Sequence, residues 1–316
     1  MTVATIDLLQ QPMLPCLITP LNDINLWALG GVGLVAALGG TGLVAGLLGS
    51  MLGVGGGILI VPILTLALHL PIQVAIGSSL VAIVANACTA AGIYTKVRLT
   101  NIKLGLLLET TTIPGAIIGG FAAAVIAPSI LSALFGLVLI YVAYTMVTGQ
   151  HFMSVDNQPD NHSVEPGNSL DSLSSSLTDS YYDQNLDEVV NYKVTHTPAG
   201  LGTGFFAGFL SSLLGVGGGI INVPVMHLLM GVPMKAAIAT STFIIALTAA
   251  TGAFIYQYYG NIHPFIIAPL VIGIVIGSRI GVELTQRTRG ALLRRIFGVF
   301  LFLVAILMFL KTANVI

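Results

Sequence analysis

The chain has 316 residues, of which 55% are hydrophobic and only 7% are charged, and its formal net charge is −1. A soluble globular domain carries about 25% charged residues, so this composition excludes a domain whose surface faces water. Several apolar stretches exceed the roughly 20 residues that cross a bilayer as a helix. The composition therefore predicts a polytopic helical membrane protein with no nucleic-acid partner.

The first half of the chain, residues 26–149, contains five apolar segments after a separate N-terminal segment at residues 1–25. The second of the five has about 11 residues, or roughly 16 Å of helix, which crosses only about half of the hydrocarbon core. It is predicted to be a broken or re-entrant helix, whose backbone must be covered by protein or line a cavity. The five segments run from Leu26 to Ser50, Ile58 to Leu68, Ile72 to Thr95, Ile102 to Ala127 and Ser129 to Gly149.

A polar segment at residues 150–197 separates the two apolar halves. It is rich in Ser, Asp and Asn, and Lys193 is its only Lys or Arg. Such a segment cannot bury enough apolar surface to offset the entropy lost on ordering. It is predicted to be a disordered linker, with a regulatory or partner-binding loop as the alternative. Its carboxylates are Asp156, Asp160, Glu165, Asp171, Asp179, Asp183, Asp187 and Glu188.

The second half, residues 198–316, repeats the first at an offset of 162 positions. The string Gly53-Val54-Gly55-Gly56-Gly57 recurs as Gly215-Val216-Gly217-Gly218-Gly219, and a proline follows at the same distance in both. Two such strings in register predict an internally duplicated membrane transporter whose site lies between the halves. The apolar segments of this half run from Ala199 to Leu214, Ile220 to Met230, Met234 to Tyr259, Pro264 to Leu284 and Ala291 to Leu310.

Basic residues predict that the two halves are inserted upside down relative to each other. In the first half, Lys96, Arg98 and Lys103 lie between the third and fourth segments. In the second half the basic cluster follows the fourth segment instead, beginning at Arg287. Because basic loops favour the cytoplasmic side, the predicted fold is an all-α polytopic protein of the cell (inner) membrane with two inverted-topology repeats of about five helical segments. A parallel repeat is the alternative, and the linker is predicted to be cytoplasmic.

The glycine strings lack the Gly-Lys-Ser/Thr ending of a phosphate-binding loop, so no nucleotide site is predicted. Glycine in a membrane permits close helix packing, or it breaks a helix and leaves free amides that suit an anion. Both interpretations stay open. A third alternative is that the nearby serine and threonine hydroxyls only donate hydrogen bonds to backbone carbonyls of their own helices. The second interpretation predicts a substrate site formed by Ser50, Gly55, Gly56, Gly57, Ser78, Ser79, Ser212, Gly217, Gly218, Gly219, Thr240 and Ser241.

Ionisable residues within apolar segments are functional candidates, because a charge costs free energy in the bilayer. Arg279 is expected to attract an anion or to pair with Glu283, four residues later on the same helix. Glu109 and His227 are candidate proton carriers. No enzyme motif and no paired cysteines are found, so we expect a protein that is not an enzyme and that has neither a metal site nor a cofactor.

The duplicated pattern, from Gly46 to Pro62 and from Gly208 to Pro224, resembles the TauE/SafE family of bacterial sulfite and organosulfonate exporters. The stretches Ala75–Ser79, Ala237–Ser241 and Gly277–Gly281 are similar to that family as well. The resemblance covers both apolar halves but not the linker. It implies transport of a small anionic solute, such as sulfite or sulfoacetate.

The mechanistic hypothesis is alternating access driven by a proton or ion gradient, because the chain carries no ATP-binding motif. The alternatives are an anion channel, a transporter of another small anion, and a membrane receptor or scaffold. A homodimer is a further expectation, although no particular residue pattern supports it.

Overall fold

The computed structural model describes residues 30–148, 177, 179–183, 188–287, 302 and 306. Each predicted apolar segment within these ranges corresponds to a helix; the N-terminal segment, most of the linker and the predicted segment from Ala291 to Leu310 lie largely or wholly outside them. The first half forms α1 (Gly30–Leu52), α2 (Gly57–Leu66), α3 (Ile72–Lys96), α4 (Ile102–Val125) and α5 (Pro128–Thr148). The second half forms α6 (Thr197–Leu214), α7 (Gly219–Pro224), a π-helix (Val225–Leu229), α8 (Met234–Tyr258) and α9 (Pro264–Arg287).

Five of the described helices, namely α1, α3, α4, α8 and α9, are long and apolar enough to cross a membrane. Large apolar side chains also cover outward-facing surface, as at Val125, Phe254 and Phe265, which are 88%, 77% and 84% exposed. A water-soluble protein rarely exposes such an extensive apolar surface. The protein is therefore a helical, multi-pass membrane protein, as its composition predicts.

The two halves are interleaved, because the fourth helix of each half packs against the first helix of the other. Helix α9 runs alongside α1 in the same direction, and α4 runs alongside α6 in the same way. Glycines permit this close contact: a Cβ on Gly46 would collide with the carbonyl of Ile274, and a Cβ on Gly208 would collide with that of Thr112. These two contacts occupy the same place in the repeat. Small residues are a common device for bringing membrane helices into backbone contact.

Helices α3 and α8 are equivalent in the repeat, and they pack against each other at the centre of the protein. Gly77, near the start of α3, lies against Tyr256, near the end of α8. Leu80, one turn further along α3, lies against Gly252, one turn earlier in α8. The two equivalent helices therefore run in opposite directions.

The linker contains an ordered element, which differs from the prediction of a disordered segment. Strands β1 (Asp179–Asp183) and β2 (Glu188–Tyr192) pair antiparallel as a hairpin. Three linker side chains, Leu177, Tyr181 and Tyr192, are buried against the ends of α4 and α8. Composition alone missed this hairpin because the few apolar residues of the linker are concentrated at its C-terminal end, where the helices supply the rest of the core.

Candidate transport site

Each glycine string forms a helix break with the same backbone geometry. In the first break Gly53, Gly55 and Gly56 have φ values of 67°, 90° and 86°, and in the second break the matching glycines, Gly215, Gly217 and Gly218, have values of 66°, 91° and 62°. L-residues with a Cβ rarely adopt positive φ, which explains why glycine stands at these positions. The predicted break after each first helix is therefore present in both halves.

The two breaks meet in the middle of the protein. A Cβ on Gly57 would collide with the carbonyl oxygen of Gly215, and a Cβ on Gly219 would collide with that of Gly53. All the residues from Gly53 to Gly57 and from Gly215 to Gly219 are buried. The predicted juxtaposition of the two strings is therefore found, but the described residues of the two breaks leave no space for a solute between them. A cavity of about 10 Å³ beside the first break has room for about one water molecule.

Two serines hold the breaks together, and we call their hydrogen bonds the serine clamps. The Oγ of Ser79 on α3 lies 3.0 Å from the carbonyl oxygen of Gly215 and 2.8 Å from that of Ile76 on its own helix, so its single proton is shared between these two acceptors. Ser241 on α8 donates to the carbonyl oxygen of Gly53 over 3.1 Å. Both pairs are related by the repeat. Each clamp satisfies a carbonyl that the left-handed turn has removed from regular helical bonding. In this conformation the two serines therefore bind the protein rather than a solute.

The remaining predicted hydroxyls differ between the halves. Ser50 donates to the carbonyls of Leu47 and Ser278, over 3.1 and 3.3 Å. The hydroxyl of Thr240 accepts from the backbone N–H of Asn101 at 3.0 Å, so it supports the loop before α4. By contrast, the buried hydroxyls of Ser78 and Ser212 have no hydrogen-bond partner among the described residues. Buried polar groups usually have one, so these two hydroxyls are available to a solute if the breaks separate.

Ser212 lies between α4 and α8, one turn before the second break. Its Oγ occupies the space left by two facing glycines, 3.0 Å from where a Cβ on Gly120 would lie and 2.6 Å from where one on Gly252 would lie. Its neighbour Ser211 is also buried, and within the described part of the chain its hydroxyl has no hydrogen-bond partner. The end of α6 thus carries two hydroxyls that this packing leaves without partners.

Glu109 is 3% exposed and is held by two threonines. Thr112 donates to its Oε2 over 2.9 Å, and the Oγ1 of Thr248 lies 3.3 Å from its Oε1. The hydroxyl of Thr248 also lies 3.0 Å from the carbonyl of Ile244, and its single proton can serve only one of these acceptors. When Thr248 donates to Ile244, its oxygen is free to accept a proton from the acid form of Glu109, so the cluster can accommodate both protonation states.

The structure places Arg279 on α9 away from the two breaks, so its predicted attraction of an anion stays a prediction. Its side chain is exposed, as is that of Glu283. Helix α9 uses its glycine stripe to pack on α1, since a Cβ on Gly277 or Gly281 would collide with α1 carbonyls. At 100° per residue, Arg279 points about 200° away from Gly277. The glycine stripe was the signal in the sequence that could have placed Arg279 on the outer face.

His227 is buried in the π-helix, where its Nδ1 lies 3.0 Å from the carbonyl oxygen of Val232. Since a carbonyl only accepts, Nδ1 is the donor. This bond holds the turn before α8, and it provides a structural reason for the histidine.

The tyrosine pair of the repeat was not among the predicted site residues, although it matches at the same offset. Tyr94 donates to the carbonyl of Ser50 over 3.1 Å, and Tyr256 donates to the carbonyl of Leu213 over 3.3 Å. Each tyrosine thus binds the last turn of the helix that ends at a break. Their recurrence in the duplicated sequence was the signal for this role.

Removing a serine clamp should destabilise the contact between the breaks. We expect Ser79→Ala and Ser241→Ala each to lower the free energy of unfolding by about 1–3 kcal/mol, because each leaves a buried carbonyl without a donor. Thermal unfolding of the purified protein in detergent measures this. Ser132→Ala is the matched control, since that hydroxyl bonds back to the carbonyl of Pro128 at the edge of α5. Equal melting of the clamp variants and the control would contradict the assigned role.

A multi-pass membrane protein with two opposed helix breaks at its centre has the architecture of a transporter. Residues 29–308 match the family described as Sulfite exporter TauE/SafE, and the chain belongs to this family of membrane transporters. The family and the relatives are transporters rather than enzymes, as the sequence predicts.

Two relatives align along most of the chain. The "Probable membrane transporter protein YunE" of Bacillus subtilis is 29% identical over 81% of this chain and 90% of its own length. A "Probable membrane transporter protein" of Methanocaldococcus jannaschii is 26% identical over 76% of this chain and 82% of its own length. A third, from Haemophilus influenzae, is 34% identical over 40% of this chain and 51% of its own length. No solved structure matches the protein.

Proposed function

We propose that the protein is a secondary transporter, and specifically an exporter, of small sulfur-containing oxyanions such as sulfite or an organosulfonate. The observation that carries the proposal is the pair of glycine breaks in direct contact at the centre of a TauE/SafE-family transporter. Transporters built from repeats bind solute where discontinuous helices of the two repeats meet. The sulfur chemistry of the solute rests on the family description, whereas the site itself rests on the geometry.

The antiparallel packing of α3 and α8 supports an inverted repeat. A twofold axis along the membrane normal would leave equivalent helices parallel, whereas an axis in the membrane plane reverses them. The contacts of Gly77 with Tyr256 and of Leu80 with Gly252 have the reversed order. In an inverted pair of repeats, equivalent contacts of the two halves can close the site first from one side of the membrane and then from the other, which is the basis of alternating access.

In this mechanism the clamped breaks are the occluded form of the site. Separation of the breaks would release the serine clamps, so that Ser79 and Ser241 could donate to the oxygens of an anion. The unpartnered hydroxyls of Ser78, Ser211 and Ser212 lie on the helices that carry or flank the breaks, and they add further donors. Neutral donors alone suit a weakly held solute that must be released on the other side.

Glu109 is the proposed proton carrier. The backbone carbonyl of its neighbour Thr112 packs against Gly208 of α6. Helix α6 ends at the second break. A change in the hydrogen bonds of Glu109 can therefore reach the break through α6. The repeat places Val271 at the position that matches Glu109, so the coupling would operate in only one half.

Thermal stabilisation by solute tests the proposal. A solute that binds the folded state alone stabilises it by about 2.7 kcal/mol at 100 times its Kd. We expect sulfite or a sulfonate such as sulfoacetate to raise the melting temperature, and choline at the same ionic strength to leave it unchanged. If simple carboxylates stabilise the protein and sulfur oxyanions do not, the substrate is a carboxylate rather than a sulfur oxyanion. If no anion stabilises the protein, the proposed anion site is wrong.

Two variants and a flux measurement sharpen this test. Ser212→Ala should weaken the stabilisation, whereas Arg279→Gln should leave it within about twofold in Kd, or roughly 0.4 kcal/mol, because that side chain faces outwards. Flux into proteoliposomes should saturate with solute and respond to a proton gradient. Flux that neither saturates nor responds to a gradient would indicate an anion channel.

A further inference from the structure

The hairpin of the linker covers one end of the transporter, and we propose that it is an autoinhibitory gate. It would have to leave its seat before the site can open on that side. The basic residues Lys96, Arg98 and Lys103 lie in or beside the loop between α3 and α4 at this end, which the charge pattern predicts to be cytoplasmic.

The hairpin is amphipathic and has one face against the helices. Tyr181 pairs with Val190 across the strands, and the ring of Tyr192 lies 6.4 Å from that of Tyr181 on the same face. Tyr181 and Tyr192 are 7% and 8% exposed, whereas Val189, on the opposite face, is 60% exposed. The two tyrosines share a core cluster with Leu104 of α4 and other side chains of α8 and the π-helix. The hairpin is therefore seated on the membrane helices.

Asn101 joins the hairpin to the transport helices. Its side-chain oxygen caps α4 by accepting from Leu104 N, and its Nδ2 donates to the carbonyl of Leu177 over 3.0 Å and to the hydroxyl of Tyr192 over 3.4 Å. Its backbone N–H donates to Thr240, which lies next to the clamp residue Ser241 on α8. Burial raises the pKa of Tyr192 to about 12, so its hydroxyl stays protonated at neutral pH. One asparagine thus connects the hairpin, α4 and the helix that holds the first break.

The repeat provides an internal comparison for this end. Thr100 and Asn101 lie in the loop before α4 and are 7% and 1% exposed. Their counterparts in the loop before α9, Ile262 and His263, are only partly buried. The loop that contacts the hairpin is therefore the more buried of the two equivalent loops. This difference is expected if the hairpin acts as a cover.

The hairpin has the properties of a removable element. A two-stranded sheet is at best marginally stable in water by itself, so it depends on its seat. Asn101 donates hydrogen bonds to this segment at the Leu177 carbonyl and the Tyr192 hydroxyl, and the rest of the described seat includes the apolar contacts of the tyrosines. Local elements of this kind open at much lower free energies than a protein core does. Opening would expose the loop before α4 and free α8 to move with its clamp.

Thiol labelling tests the gate without needing to know the solute. The reporter is Thr100→Cys in a protein whose Cys16 and Cys88 are replaced by Ser, treated with a membrane-impermeant maleimide in inside-out vesicles. The double substitution Tyr181→Ser with Tyr192→Ser removes the apolar contacts that the hairpin makes with the helices, and it changes no residue of a helix. We expect about tenfold faster labelling in this double variant, since labelling follows the population of the open state.

Val189→Ser is the matched control on the exposed face of the hairpin. Ile262→Cys is the matched reporter in the equivalent loop at the opposite end of the protein, beside the start of α3, so it is labelled in right-side-out vesicles. Neither should respond. An unchanged labelling rate in the double variant, with an unchanged melting temperature, would overturn the gate. So would a transport rate that falls in the double variant, because an autoinhibitory gate predicts a rise. If labelling changes as expected but neither the parent nor any variant transports an anion, the proposed anion transport is wrong, whereas the hairpin is still a removable cover.

Discussion

A single methyl group on Gly57 should separate the two helix breaks and destabilise the protein. The Cβ of Gly57→Ala would collide with the carbonyl oxygen of Gly215, and backbone cannot move aside as a flexible side chain can. Gly219→Ala should have the same effect, because its Cβ would collide with the carbonyl of Gly53. We expect each variant to lose about 1–3 kcal/mol of unfolding free energy, which thermal unfolding in detergent measures.

Gly92→Ala and Gly202→Ala are the matched controls, because a Cβ at either position would lie at least 4 Å from every described atom outside its own local helix backbone. Alanine is favoured over glycine within a helix by roughly 0.5–1 kcal/mol, so the controls should melt at the same temperature as the parent or slightly higher. If Gly57→Ala melts like Gly92→Ala, the breaks are not in contact in the membrane protein.

Glu109→Gln should uncouple transport from the proton gradient. Glutamine keeps the size of the carboxyl and can still hydrogen-bond Thr112 and Thr248, so the fold should be retained. It cannot carry a proton, however, and gradient-driven accumulation of anion should fall by at least about tenfold, the equivalent of 1.4 kcal/mol. Exchange of labelled for unlabelled anion across proteoliposomes needs no coupling and should persist.

The control for this variant is Glu283→Gln, which removes a carboxylate from the exposed face of α9. It should accumulate anion like the parent. Loss of exchange together with accumulation in Glu109→Gln would show that the residue serves the solute pathway rather than coupling. Accumulation at the parental rate would remove Glu109 from the mechanism.

The helices and the breaks could be predicted from the sequence because apolar length and duplicated glycines determine them locally. The strings at Gly53–Gly57 and Gly215–Gly219 predicted two half-length helices, and the structure has both. Their mutual contact was predicted from the duplication, because repeat-built transporters place their discontinuous helices together at the interface of the halves.

The partners of the side chains could not be predicted in the same way. Nearly every face of these helices is apolar, so hydrophobicity does not distinguish the lipid-facing face from the buried one, and the exposed position of Arg279 on α9 is visible only in the structure. The hydroxyls of Ser79 and Ser241 were recognised, but their acceptors lie in the other half of the chain. The threonines around Glu109 come from two helices that only the packing brings together.

The interleaving of the halves has a consequence for how the protein is made. Helix α1 is synthesised before the other described helices, yet the glycine-lined surface that it packs against belongs to α9, the last of the long described helices. Until α9 is made, the glycine face of α1 has no α9 to pack against. A chain truncated before Pro264 should therefore be recognised as incomplete and degraded, even though it contains an entire first repeat.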